Sequence, residues 1–198
     1  MGLRKRTRLV GGVGINDADY SVYEYVDGRA IWRCPFYQTW VSMLHRCYSE
    51  RLQNKYPTYK GCSVCDEWLI FSNFKRWMEQ QDWEGKHLDK DLLKEGNKVY
   101  CPDWCIFVHH NINMFVTGSG ATRGEYMIGV SWVLTYKKFR ATCNNPFTCK
   151  SEYLGYFDTE LEAHLAWKRK KHEHACALAD SEYCTDPRLT EALRTRYL

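Results

Sequence analysis

The stretch GSGATRG, from Gly118 to Gly124, is the feature that most limits what this chain can become. Three glycines among small polar residues separate two regions with hydrophobic patterning, which is linker composition. Two modules cut from 198 residues must each bury a core, and small modules bury a lower fraction of their surface than large ones. Aromatic side chains compensate, because each hides a large apolar area, and this chain has 8 Trp and 14 Tyr.

The formal net charge of +4 does not by itself announce a nucleic-acid binder. Its distribution says more. Positive charge gathers in LRKRTR near the start, in YKKFR at 136–140 and in WKRKKH at 167–172, where phosphates can be attracted. No apolar run long enough for a membrane span is present, and no secretory pattern follows the basic start, so a cytoplasmic protein without a membrane partner is expected. In that setting the ten cysteines are expected to be reduced thiols or metal ligands. A monomer is the simplest assembly.

Hydrophobic spacing predicts an α+β chain. Residues 1–33 read as a basic, glycine-containing arm, with no regular structure over 1–15. From Cys34 onward, Trp40, Met43, Leu44 and Cys47 recur at helical spacing, with Pro35 suited to the first turn. A second helix carries Phe71, Phe74 and Trp77 on one side. HLDKDLL then reads as a strand, KEGNKVY as a glycine turn into a second strand, and CIFVHHNINMFV as a helix, closing a module over 34–117. A linker spans 118–125. Beyond it, YMIGVSWVL, KKFRATCNN and EYLGYFD predict three strands, and a helix capped by Thr159 completes a module over 126–180. Residues 181–198 are expected to add a helical tail.

The run HLDKDLLKEGNKVYCPDWCIFVHHNINMF resembles the ββα metal finger of HNH nucleases, in the form found in phage genomes and homing endonucleases. Preceding segments, W..ML.RCY and CSVCDEWLIFSNFKRW, resemble what accompanies it there. The resemblance implies that Asp89 is the acidic metal ligand, Asn97 the turn asparagine and Asn113 the helix ligand of a magnesium or manganese ion, and that Lys90 occupies the position of the catalytic base. A hard divalent cation suits oxygen ligands and stabilises charge developing on a scissile phosphate. An ordinary lysine, with a pKa near 10.4, cannot accept a proton at neutral pH as histidine does. Three routes around Lys90 are open: burial that lowers its pKa, a substitute base among His87, His109 and His110, or Asp91 as a second oxygen ligand. Cys62 and Cys65 have zinc-ligand spacing, and with Cys101 and Cys105 they define a possible structural zinc clamp, Cys47 being a competing fourth ligand.

Residues 126–178, through GVSW, KKFRA and YLGYFDTELEAHLAW, resemble the Apetala-type or ethylene-response-factor DNA-binding domain. That resemblance implies a three-stranded antiparallel sheet, packed on one helix, that enters the major groove of double-stranded DNA. Strand alternation is expected to project Trp132, Lys138, Arg140 and Thr142 from the reading face and to turn Val130, Phe139 and Ala141 toward the helix. Lys137 and Lys150 are further phosphate contacts. Together the two modules imply a site-selective, metal-dependent DNA endonuclease or nickase. The alternatives are a non-catalytic DNA-binding regulator on a degenerate finger and an inhibitor that binds a host factor.

Overall fold

A computed structural model describes residues 9–117 and 125–198, which fall into two compact units dividing between Phe107 and Val108. The basic run at 3–8 and residues 118–124 of the expected linker lie outside the described residues. The fold is mixed α+β, as the patterning predicts.

In the first unit, residues 10–15 are held by backbone bridges where no regular structure was expected. Val10 bridges to Gly14 and Ile15 pairs with Ile70. Gly14 lies so close to the core that a Cβ would stand 2.4 Å from Leu44 Cδ1. A hairpin follows, β1 (Tyr23–Val26) antiparallel to β2 (Arg29–Arg33). Its turn residues, Asp27 and Gly28, have φ of 49° and 74°, the left-handed pair that an Asp-Gly sequence favours.

The helix α1 (Pro35–Tyr48) begins at Pro35 and buries Trp40, Met43, Leu44 and Cys47, the side its spacing predicts. After the short α2 (Glu50–Lys55), α3 (Phe71–Met78) sets Phe71, Phe74 and Met78 into the same core. Ring contacts hold the centre: Trp40 and Phe71 have centroids 5.5 Å apart, and Trp68 and Trp77 4.4 Å. Trp40 Nε1 donates to the carbonyl of Trp68 at 2.7 Å, so burying that indole leaves its polar atom satisfied. Each fully buried aromatic contributes on the order of 2–3 kcal/mol through removed apolar area.

The strand order of this unit differs from the expected hairpin. Strand β3 (Ser63–Val64) pairs in parallel with β5 (Val99–Tyr100), whereas β4 (His87–Asp89) pairs with β6 (Ile106–Val108). β4 stops at Asp89 because the Asp89 carboxylate caps a turn there. The segment Ile106–Val108, expected as the start of a helix, is a fully buried strand, and α4 (His110–Val116) begins only after it. A short continuous apolar run does not distinguish a buried strand from a helix.

In the second unit, β7 (Val130–Val133), β8 (Lys138–Asn144) and β9 (Ser151–Phe157) form an antiparallel sheet in that order. All three strands pack on α5 (Glu160–Ala179), and α6 (Pro187–Thr195) packs on α5 in turn. Thr159 caps α5 reciprocally: Glu162 N donates to Thr159 Oγ1 at 3.2 Å and Thr159 N to Glu162 Oε2 at 3.1 Å. Small buried residues, Ala141 and Cys143 on β8 and Ala163 and Ala175 on α5, allow close approach of sheet and helix.

Gly129 sets where β7 starts. Its φ is 82°, and a Cβ would fall 2.1 Å from Trp167 of α5. Gly28 has a similar φ of 74° but open space around it. Gly28→Ala is expected to cost about 1 kcal/mol from the left-handed backbone alone. Gly129→Ala adds a clash and should cost more than about 3 kcal/mol, read as a lower midpoint in urea unfolding. Equal costs at the two positions would contradict this packing.

Candidate functional site

The exposed face of the β7-β8-β9 sheet is the most distinctive surface of the second unit. Register fixes its composition: Ser131 stands opposite Arg140, Arg140 opposite Tyr156, and Thr142 opposite Tyr153. Arg140 Nε donates to Ser131 Oγ at 3.2 Å, which orients the guanidinium across the strands. Tyr156 touches both Tyr136, at a centroid distance of 4.9 Å, and Tyr153, at 5.4 Å. These tyrosines are exposed by 60% (Tyr136), 58% (Tyr153) and 41% (Tyr156), far more than a packed ring would be. Around them stand Lys138, paired with Asp158 at 2.5 Å, and two exposed lysines at the hairpin turns, Lys137 and Lys150.

Trp132 is not on this face. It pairs with Phe139, with ring centroids 4.8 Å apart, on the side that carries Ala141 toward α5. The expectation that it projects beside Arg140 is corrected by parity: Val130 and Trp132 are two residues apart in one strand and share a side. The three tyrosines were missed for a different reason. Tyr153 and Tyr156 are three apart, so an even strand would send them to opposite sides. A register shift between Ala141 and Thr142 leaves Leu154 unpaired and brings both rings to one face, with Gly155 at φ 131° absorbing the distortion. A glycine inside a strand pattern is the sequence signal for such a bulge.

In the first unit, Asp89 and Asn97 tie down the loop that follows β4. Asp89 Oδ1 accepts the amides of Asp91 at 2.9 Å and Leu92 at 2.7 Å. Asn97 Nδ2 donates to the carbonyls of Lys90 at 2.6 Å and Val99 at 2.8 Å. Burial, reinforced by Asp91, holds the Asp89 carboxyl above the ordinary aspartate range against those amide bonds.

Lys90 is only 6% exposed, and its Nζ lies 2.8 Å from Asp91 Oδ2. Burial works to lower its pKa, but the hydrogen bond and charge of Asp91, with Cys62 and Asp89 adding, outweigh that and raise it. The net direction is opposite to the one a base at Lys90 would need. The same ion pair engages Asp91. Among the histidines, His109 accepts the amide of Asn111 through Nδ1 and stacks on Tyr183 at 4.2 Å, while His87 and His110 are exposed.

Cys62 acts on Cys47, whose thiol is pushed up to about 12 chiefly by burial. Burial likewise raises Cys65 and Cys105, and these two and Cys101 act on one another. Among the described residues no group of three or more His, Cys, Asp or Glu side chains is arranged to hold a metal ion.

Asn113, the helix ligand implied by the finger resemblance, sits half-buried on α4 in the second unit, whereas Asp89 belongs to the first. The C-terminal end of α4 is held by Lys171 of α5, whose Nζ donates to the Phe115 carbonyl at 2.7 Å and lies 3.5 Å from the Phe115 ring centroid. Burial lowers the Lys171 pKa to about 8. Below that pH the amine is charged in both folded and unfolded chains and the folded state bears the desolvation cost. As pH rises from about 8 toward the unfolded value, the folded chain loses its proton first and stability increases, by at most about 3 kcal/mol. Unfolding free energies of the wild type and of Lys171→Met should therefore converge or cross over pH 8 to 10.5, with the slope lost in the variant. Parallel curves would show that Lys171 is not desolvated.

No family model matches the chain, and neither a curated protein nor a solved structure is detectably similar to it, so the resemblances rest on the residue patterns themselves.

Proposed function

We propose that this chain binds double-stranded DNA through the exposed face of its three-stranded sheet, with Arg140 reading base edges and Tyr136, Tyr153 and Tyr156 packing against the groove. The observation that carries this reading is the grouping of one oriented guanidinium with three exposed rings on a single sheet face, flanked by Lys137 and Lys150 at its hairpin turns. A sheet of this width matches the major groove, where arginine pairs with guanine and lysine holds phosphate. Tyrosine hydroxyls reach phosphate oxygens while their rings cover sugars. The N-terminal unit then serves as a scaffold, since the residue at the base position, Lys90, is engaged in an ion pair with Asp91.

A second reading, metal-dependent cleavage by a finger of the HNH type, is favoured by one observation. Asn97, where the finger resemblance puts a turn asparagine, pins the loop after β4 through the carbonyls of Lys90 and Val99. It requires Asp89 and Asn113 to hold magnesium or manganese and another group to replace Lys90 as base. His87, two residues before Asp89, shares its side of β4.

The two readings separate in one preparation of the full chain. Binding to duplexes selected from a random pool should weaken ten- to a hundredfold for Arg140→Ala, about 1–3 kcal/mol, with relaxed sequence preference. Trp132→Ala should instead lower thermal stability and leave the sequence preference intact. Supercoiled plasmid with magnesium or manganese should stay uncut. Nicking abolished by Asp89→Ala would establish the cleavage reading instead, and the absence of duplex affinity would leave protein binding as the remaining alternative.

A further inference from the structure

Helix α1 has a second side that the core does not use. Gln38, Thr39, Ser42 and Arg46 recur at helical spacing opposite Trp40, Met43 and Leu44, and they face the chain entering β4 at Lys86 and His87. Between them lies a groove of about 260 Å³. Its lining contains two permanent cations, Arg46 and Lys86, an imidazole, and the hydroxyl and amide side chains of Ser42 and Gln38. No carboxylate is among its lining residues; Asp82 pairs with Lys86, and Asp89 acts electrostatically on Arg46. Arg46 is fixed rather than mobile: Nη1 donates to the Leu88 carbonyl at 3.4 Å, and the guanidinium lies over the Tyr59 ring.

The geometry points to a phosphate-binding subsite in this groove, filled by a backbone phosphodiester of the DNA that the sheet is proposed to read. Hydroxyl and amide donors on α1 beside two positively charged side chains supply what a phosphate oxygen needs, and the lining itself holds no carboxylate. An apolar ligand would leave those donors dry, and a cation would meet Arg46 and Lys86. This inference rests on the DNA-binding reading, and it assigns to the N-terminal unit a positioning role without sequence information. Such a contact strengthens binding to every duplex alike and adds about one to the slope of log affinity against log salt.

The test uses the full chain with Gln38→Glu and, separately, Ser42→Glu, two exposed positions of α1 outside the buried core. Each variant should melt as the wild type does, bind duplexes of any sequence several-fold more weakly, and lose about one unit of salt slope. Amide resonances of Ser42 and His87 should shift on adding duplex. If inorganic phosphate moves those resonances while a bound duplex does not, the groove takes a free anion and the inference as stated is overturned. Duplex binding that moves the sheet resonances but leaves Ser42, His87 and the salt slope unchanged overturns it as well, while sparing the DNA-binding reading. Should the wild type bind no duplex yet respond to inorganic phosphate, the DNA-binding reading falls and the inference as stated falls with it, leaving a free-anion site.

Discussion

One unpaired residue, Leu154, decides what the C-terminal sheet shows to its surroundings. Without the register shift at that position, Tyr153 or Tyr156 would turn toward α5, where Ala141 and Cys143 leave little room. With it, both rings share a face with Arg140, and Phe157 and Phe139 remain opposite each other. A bulge costs a ladder hydrogen bond and some strain, so it persists because the helix-facing side is packed and cannot accept another large ring. The exposed aromatic and basic surface is thus a consequence of how the other face packs.

Much of the architecture was legible because period and packing agree. The apolar side of α1, the helical spacing in α3 and the three strands followed by a capped helix all follow from residues that alternate or recur as their element demands. Failures cluster where a side chain overrides the pattern. HLDKDLL alternates well enough for a long strand, but the Asp89 carboxylate captures two amides and ends β4 after three residues. CIFV looks like a helix start, yet three consecutive buried residues make it a strand. GGVGIND has the composition of a free arm, but the absence of side chains is what lets Gly14 lie against Trp40 and Leu44.

The site residues were legible unevenly for the same reason. Asp89 and Asn97 stand where the finger resemblance puts a ligand and a turn asparagine, and their hydrogen bonds show local jobs that a motif cannot reveal: ending a strand and clamping a loop. Lys90 could be read as an anomaly but not as a buried ion pair, because its partner is simply the next residue. Lys171 was visible only as one charge in WKRKKH. In the fold it is the member of that run whose ammonium lies against an aromatic ring at the end of α4.

Charge in this molecule therefore has three different uses: exposed and available at the sheet turns, fixed around a groove on α1, and buried at Lys90 and Lys171. Mapping of a bound duplex by backbone and tyrosine-ring NMR shifts tests the central claim most directly. The account predicts the largest changes at Arg140, Thr142, Tyr153 and Tyr156, with Trp132 and Phe139 nearly unmoved. Changes concentrated on the Trp132 side of the sheet, or none on either side with duplex in excess, would contradict it.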